Sequence, residues 1–102
     1  MSRLGAQDEP TLTVDLTDRE VASSPDLWDA LAGPCGLPDW FGRNLDAWWD
    51  TLDHGAISDV IDSHSRVVIR VRAVGMFAPG NPEGHAFVEV TDRSVYGVVE
   101  IC

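Results

Sequence analysis

Leu12, Val14 and Leu16 alternate with Thr11, Thr13 and Asp15, the period-two pattern of a strand with one covered face. The period then lengthens. Ser24 offers an N-cap, Pro25 suits the first helical position and Asp26 the first turn, while Leu27, Trp28 and Leu31 share one face. This predicts a helix that stops at Gly33-Pro34, and Gly36 and Pro38 keep the next segment out of helix. Leu45, Trp48, Trp49 and Leu52 fall at i, i+3, i+4 and i+7, which predicts a second helix over 44–53 with Asn44 as its cap.

Beyond Gly55 the pattern predicts a short helical stretch from Ala56 to about Asp62, then a strand of branched residues at Val67-Val68-Ile69-Arg70-Val71. A loop follows over Gly75 to Gly84, with Pro79 and Pro82. Phe87 to about Arg93 is read as a short last helix, and Val95 to Ile101 as a final strand interrupted by Gly97. Strand, helix, helix, strand, helix, strand is the order of an α/β domain with a small three-stranded parallel sheet and three to four helices, because parallel neighbours need crossovers of this length. Residues 1–10 read as a flexible polar tail ending at Pro10, and residues 11–102 as a single domain. A hydrophobic content of 44% is enough for one core and hardly for two.

Charge narrows the possible partners. The chain has 17 acidic and 7 basic residues, a formal net charge of −10, so its field repels free nucleic acid and anionic membranes and attracts basic proteins or cations. No stretch is long and apolar enough to cross a bilayer, and Met1 to Pro10 hold no secretory-signal run, so a cytoplasmic location is expected. Cys35 and Cys102 lack a CxxC spacing and read as free thiols.

Within the 44–53 helix, Asp46, Asp50 and Asp53 recur at i, i+4 and i+7, so their carboxylates form a stripe beside the apolar face, with Trp49 on the border. Asp46 complements the macrodipole. Asp50 and Asp53 oppose it, each at a cost of a few tenths of a kcal/mol, and their like charges add to that cost. Helix stability would not select this stripe; it is either a solvated face of an acidic protein or a working surface. Upstream, Leu37-Pro38-Asp39-Trp40-Phe41-Gly42 sets two aromatics in a loop stiffened by Pro38, as core caps or as interface anchors.

The run Leu37-Pro38-Asp39-Trp40-Phe41-Gly42-Arg43-Asn44-Leu45-Asp46-Ala47-Trp48-Trp49-Asp50-Thr51-Leu52 resembles the signature of the barstar family, intracellular inhibitors of barnase-like and related guanyl-specific ribonucleases. The resemblance implies a barstar-like fold and a 1:1 complex with a basic, secreted microbial ribonuclease. It implies no catalytic activity of the chain's own, no cofactor, and no direct contact with nucleic acid or membrane. By the same resemblance, Trp40, Asn44, Asp46, Trp49 and Asp50 belong to the partner-binding loop and helix, and Phe41 and Gly42 of that loop and Asp53 of the stripe are assigned to the same surface. Asp50 stands at its centre, in the place of an RNA phosphate. Asp92 is assigned as one further acid from the last helix, with Glu89 as the alternative. The chain departs from the pattern after the helix, where Gly55 is followed by Ala56 and not by tryptophan, and where the stretch to Ser65 is longer.

Other chemistries use the same residues less well. An Asp46/Asp50 acid–base pair would need an enclosing cleft, which a lone helix does not provide. The three aspartates lack the spacing of a calcium loop, and His54, His64 and His85, with no HxxxH partner or adjacent cysteine, read as ordinary surface or loop histidines. A reading that keeps the fold but gives the acidic helix another basic partner, a toxin or a nucleic-acid-binding factor, stays open.

Overall fold

A computed structural model describes residues 11–55 and 57–102; the expected tail at 1–10 lies outside the described residues. Three strands, β1 (Thr11–Asp15), β2 (Arg66–Val71) and β3 (Gly97–Ile101), form a parallel sheet in the order β1-β2-β3. The register sets Val14 beside Ile69 and Ile69 beside Val99. Four helices, α1 (Ser24–Ala32), α2 (Leu45–Asp53), the single turn α3 (Asp59–Asp62) and α4 (Pro82–Arg93), fill the connections, with a 3-10 turn at Gly75–Phe77. This is the α/β arrangement that the pattern predicts.

Strand order equal to chain order, with right-handed crossovers, puts the connecting helices on one side of the sheet. The burial agrees. Val14, Val67, Ile69, Val71 and Val99 are buried on the inner face, while Thr11, Thr13, Asp15, Arg66 and Glu100 are exposed on the other. An uncovered parallel face must be polar to be tolerated. Here Arg70 bridges a row of register partners, with Nη1 3.5 Å from Asp15 Oδ2 and Nε 3.3 Å from Glu100 Oε1.

The core is aromatic at its centre. Trp48 stacks on Phe87 with centroids 5.5 Å apart, and Trp28 meets Phe41, Trp48 and Phe87 at 5.4 to 6.0 Å. Such rings add stabilisation beyond their buried area through edge and offset contacts. The indole N–H of Trp48 is buried with them and donates to Thr91 Oγ1 at 2.8 Å, while the Thr91 hydroxyl donates to Phe87 O at 2.8 Å. One hydroxyl thereby satisfies the indole and links α2 to α4.

Three boundaries differ from expectation. The last helix begins at Pro82, not Phe87, because the Asn81 side chain accepts from Glu83 N at 3.0 Å and Pro82 occupies the first turn. Gly84, expected in a loop, is a buried helical residue; a Cβ there would lie 1.9 Å from Met76 O, so the glycine permits the close approach of α4 to the 3-10 turn. The third strand begins at Gly97, after a turn in which Val95 and Tyr96 are exposed. In the first helix, Ser23 holds the extended cap conformation, and Ser24 instead donates its N–H and hydroxyl to Glu83 Oε2 at 3.0 and 2.6 Å. The Ser24 hydroxyl, followed by its N–H, holds the Glu83 carboxyl below the usual glutamate value. Helix α3 is capped by Ser58, whose hydroxyl donates to Cys35 O and accepts from Ile61 N at 3.1 Å.

Two outcomes test this packing. Thr91→Val keeps the shape but strands a buried indole N–H, and should lower unfolding free energy by about 1–3 kcal/mol in urea titration, whereas Thr91→Ser should cost less. Both cysteines are free, with Cys35 buried and Cys102 exposed. Burial pushes the Cys35 thiol up to about 12, so a thiol reagent should modify Cys102 promptly in the native protein and Cys35 only after urea is added.

Candidate functional site

The chain enters α2 through a loop in which nearly every backbone choice has a visible restraint. Phe41 N donates to Pro38 O at 3.0 Å, closing a turn. Arg43 then adopts φ 53°, the left-handed region that costs a residue with a side chain about 1 kcal/mol or more. Its guanidinium compensates by bonding Asp29 Oδ1 at 3.0 Å and Pro25 O at 3.3 Å on α1. Next, Asn44 takes the extended cap conformation, accepts from Ala47 N at 2.8 Å and donates to Gly42 O at 3.1 Å. The cap that the sequence predicts is thus present, and its second bond ties the helix start to the loop.

The loop divides its two aromatics. Trp40 is 67% exposed; Phe41 is 7% exposed and packs edge-to-face on Trp28. The expectation that Phe41 faces a partner is therefore corrected. Its ring fills the core beneath the loop, and Trp40 alone is offered outward. Gly42 lies exposed between them and the cap; a Cβ there would come within 3.2 Å of Asn44 Nδ2 and 3.3 Å of Ala47 Cβ.

Rotation of α2 follows from its buried side. Trp48, Thr51 and Leu52 face the core, with the Thr51 hydroxyl returned to Ala47 O at 2.8 Å. Thr51 falls on the inner face where the sequence pattern lists only apolar residues. Asp46, Asp50 and Asp53 consequently point to solvent, and Trp49, half-buried, borders them. The structure brings Trp40, Gly42, Asn44, Asp46, Trp49, Asp50 and Asp53 onto one loop and one helix. The acids are exposed, Asp50 by 53%, and Asp53 stands at the edge of a shallow hollow.

The two acids considered for the last helix, Asp92 and Glu89, have neighbours of their own. Asp92 Oδ1 accepts Val99 N–H at 3.1 Å, a structural task at the corner between α4 and β3, and Glu89 Oε2 lies 3.9 Å from Arg93 Nη2. Two features went unread in the sequence. His54, classed as an ordinary histidine, closes α2 with its Nδ1 3.2 Å from Asp50 Oδ1; the i, i+4 spacing was the available signal. Glu83, in the first turn of α4, falls within the Gly- and Pro-containing segment whose pattern predicts a loop.

Among the described residues no group of three or more His, Cys, Asp or Glu side chains could hold a metal ion, and no helix is long and apolar enough to cross a membrane. What the site can do chemically is present a row of carboxylates, with an aromatic beside it, to a cationic surface.

A family model described as "Barstar (barnase inhibitor)" matches residues 10–95, which include the loop, α2 and α4. No curated protein matches the chain.

The cap has a measurable weight. Asn44→Ala removes the bond to Ala47 N and the tie to Gly42, and should lower stability by about 1 kcal/mol, with Asn44→Asp recovering most of it in the same urea titration.

Proposed function

Since the chain belongs to the barstar family, we propose that it inhibits a basic, secreted microbial ribonuclease by laying α2 and its preceding loop over the enzyme's active site in a 1:1 complex. The observation that carries this reading is the exposed stripe of Asp46, Asp50 and Asp53, held outward by the buried Trp48, Thr51 and Leu52. A ribonuclease site must hold phosphates with cationic side chains, and carboxylates at one-turn spacing can occupy the same places.

Each residue then has a task. Asp50, at mid-stripe, accepts charge-assisted hydrogen bonds from the cations that otherwise hold the RNA phosphate. Asp46 meets a further arginine or lysine at the rim, and Asp53 extends the negative surface towards the helix end. Trp40, exposed at the loop, supplies an apolar anchor, with Trp49 at the border of the acids. Asn44 and Gly42 hold the loop in shape, so little ordering is required on binding. Phe41 acts from beneath, and Asp92, exposed on α4, is the further acid offered to the partner while its Oδ1 holds the Val99 amide. The chain is an inhibitor without chemistry of its own, acting in the cytoplasm that produces the enzyme.

The net charge of −10 should make association fast and salt-sensitive. Titrating the purified protein into a panel of microbial guanyl-specific ribonucleases, with RNA cleavage as the readout, should show stoichiometric inhibition that weakens at high salt. Asp50→Ala should weaken it by about 2–5 kcal/mol, a range carried over from barnase with barstar, and leave the circular dichroism unchanged because Asp50 is exposed. Inhibition equal to the parent's would refute the central role of Asp50. Failure to inhibit any member of the panel would favour a different basic protein as the partner of the same face.

A further inference from the structure

Asp50 is the acid on which docking depends, and its carboxylate already has a neighbour. His54, one turn further on, places Nδ1 3.2 Å from Asp50 Oδ1. The backbone reinforces this contact, since His54 closes α2 as its C-cap and its N–H donates to Asp50 O at 2.9 Å. The ring and the main chain of residue 54 therefore both return to residue 50. No basic residue stands in the last turn of α2, so His54 is the group at that helix end able to carry positive charge beside the stripe.

We propose that His54 is a positioning residue for Asp50: it holds the carboxylate ready in the free protein, and its protonation state sets how much negative charge the stripe offers to a basic partner. This rests on the reading of α2 as the docking face.

The neutral and charged rings act differently. A neutral imidazole with its proton on Nδ1 donates to Oδ1 and orients the carboxylate without adding charge. A protonated ring stands within a few ångströms of any guanidinium or ammonium that a partner seats on Asp50, and competes for the same oxygen. Docking therefore favours loss of any proton held on His54. By linkage, a proton held on His54 and a cationic partner seated on Asp50 weaken each other.

The groups that face His54 include more than Asp50. Asp53 is on the same helix. Across the shallow hollow of about 370 Å³ that His54 lines stand Asp62 of α3, His64 just beyond it, and Tyr96 from the turn before β3. His64 Nδ1 lies 2.6 Å from Val60 O, so that nitrogen carries the proton and donates it to the carbonyl. His64 is a second imidazole at the same hollow, so any pH dependence is assigned by substitution at residue 54.

The test has two arms. In the free protein, three-bond couplings of the Asp50 β-protons report its rotamer. The parent and His54→Gln, which keeps a neutral donor, should hold one rotamer, and His54→Ala should average several; equal averaging in all three overturns the positioning role. In the second arm, a barnase-like ribonuclease is titrated with parent and His54→Gln at about pH 8 and about pH 5.5. The enzyme's own titrating groups and His64 are common to both. The parent should lose about fivefold more affinity on acidification, the factor for two unit charges about 4 Å apart in water. Identical pH profiles overturn the charge control. If neither protein binds at either pH, the docking face itself fails, and the rotamer arm still decides what His54 does to Asp50.

Discussion

The buried indole of Trp48, with its N–H on Thr91 Oγ1, determines the rotation of α2 about its own axis. Side chains on a helix are spaced by about 100°, so once Trp48 points inward the directions of residues 46, 49, 50 and 53 are no longer independent. The hydrogen bond makes the orientation specific. An apolar ring could settle in several rotations at similar cost, whereas a buried N–H must find its one acceptor. Phe87 and Trp28 pack around the same ring and extend the constraint to α4 and α1. An acidic surface on one helix is thus aimed by an interaction on that helix's opposite side.

Opposing terms meet in the loop and at the end of α2. Arg43 holds a left-handed backbone, and Asp50 and Asp53 lie where the helix dipole disfavours negative charge. Each cost has a local offset: the guanidinium of Arg43 reaches Asp29 and Pro25 O, Asn44 caps the helix, and His54 stands beside Asp50. None of these offsets removes the stripe's net charge. The result is a stable scaffold that keeps an unfavourable row of carboxylates in view of solvent, the condition for binding a cationic surface without first rearranging.

Local signals were sufficient where one element determines its own geometry. The alternation of Leu12, Val14 and Leu16, the branched run at Val67–Val71, and the Asn44 cap with its i, i+3, i+4, i+7 apolar positions each appear in the structure, because periodicity and capping act over a few residues. They were insufficient where a distant neighbour decides. Pro82 and Gly84 look like loop residues until Asn81 caps the turn and Met76 leaves room for no side chain at residue 84. The valines and Thr91 of α4 disfavour helix by propensity, yet Phe87 and Thr91 are buried against α2, and packing outweighs a few tenths of a kcal/mol per residue.

The candidate site divides in the same way. Its stripe of Asp46, Asp50 and Asp53, the adjoining tryptophan, the cap and the family resemblance could all be read from one continuous run of chain, since helical spacing alone places those carboxylates together. Adjacent residues gave no such help with Trp40 and Phe41, which are alike in sequence and opposite in burial; the position of Trp28 on another helix chose between them. Asp92 was equally undecidable, because its partner is the Val99 amide on a strand that the α4–β3 turn brings back. The sequence by itself determined which residues could form an acidic face. Only tertiary contacts decided which aromatic stands beside it and which acids are already engaged, because those outcomes depend on atoms far apart along the chain.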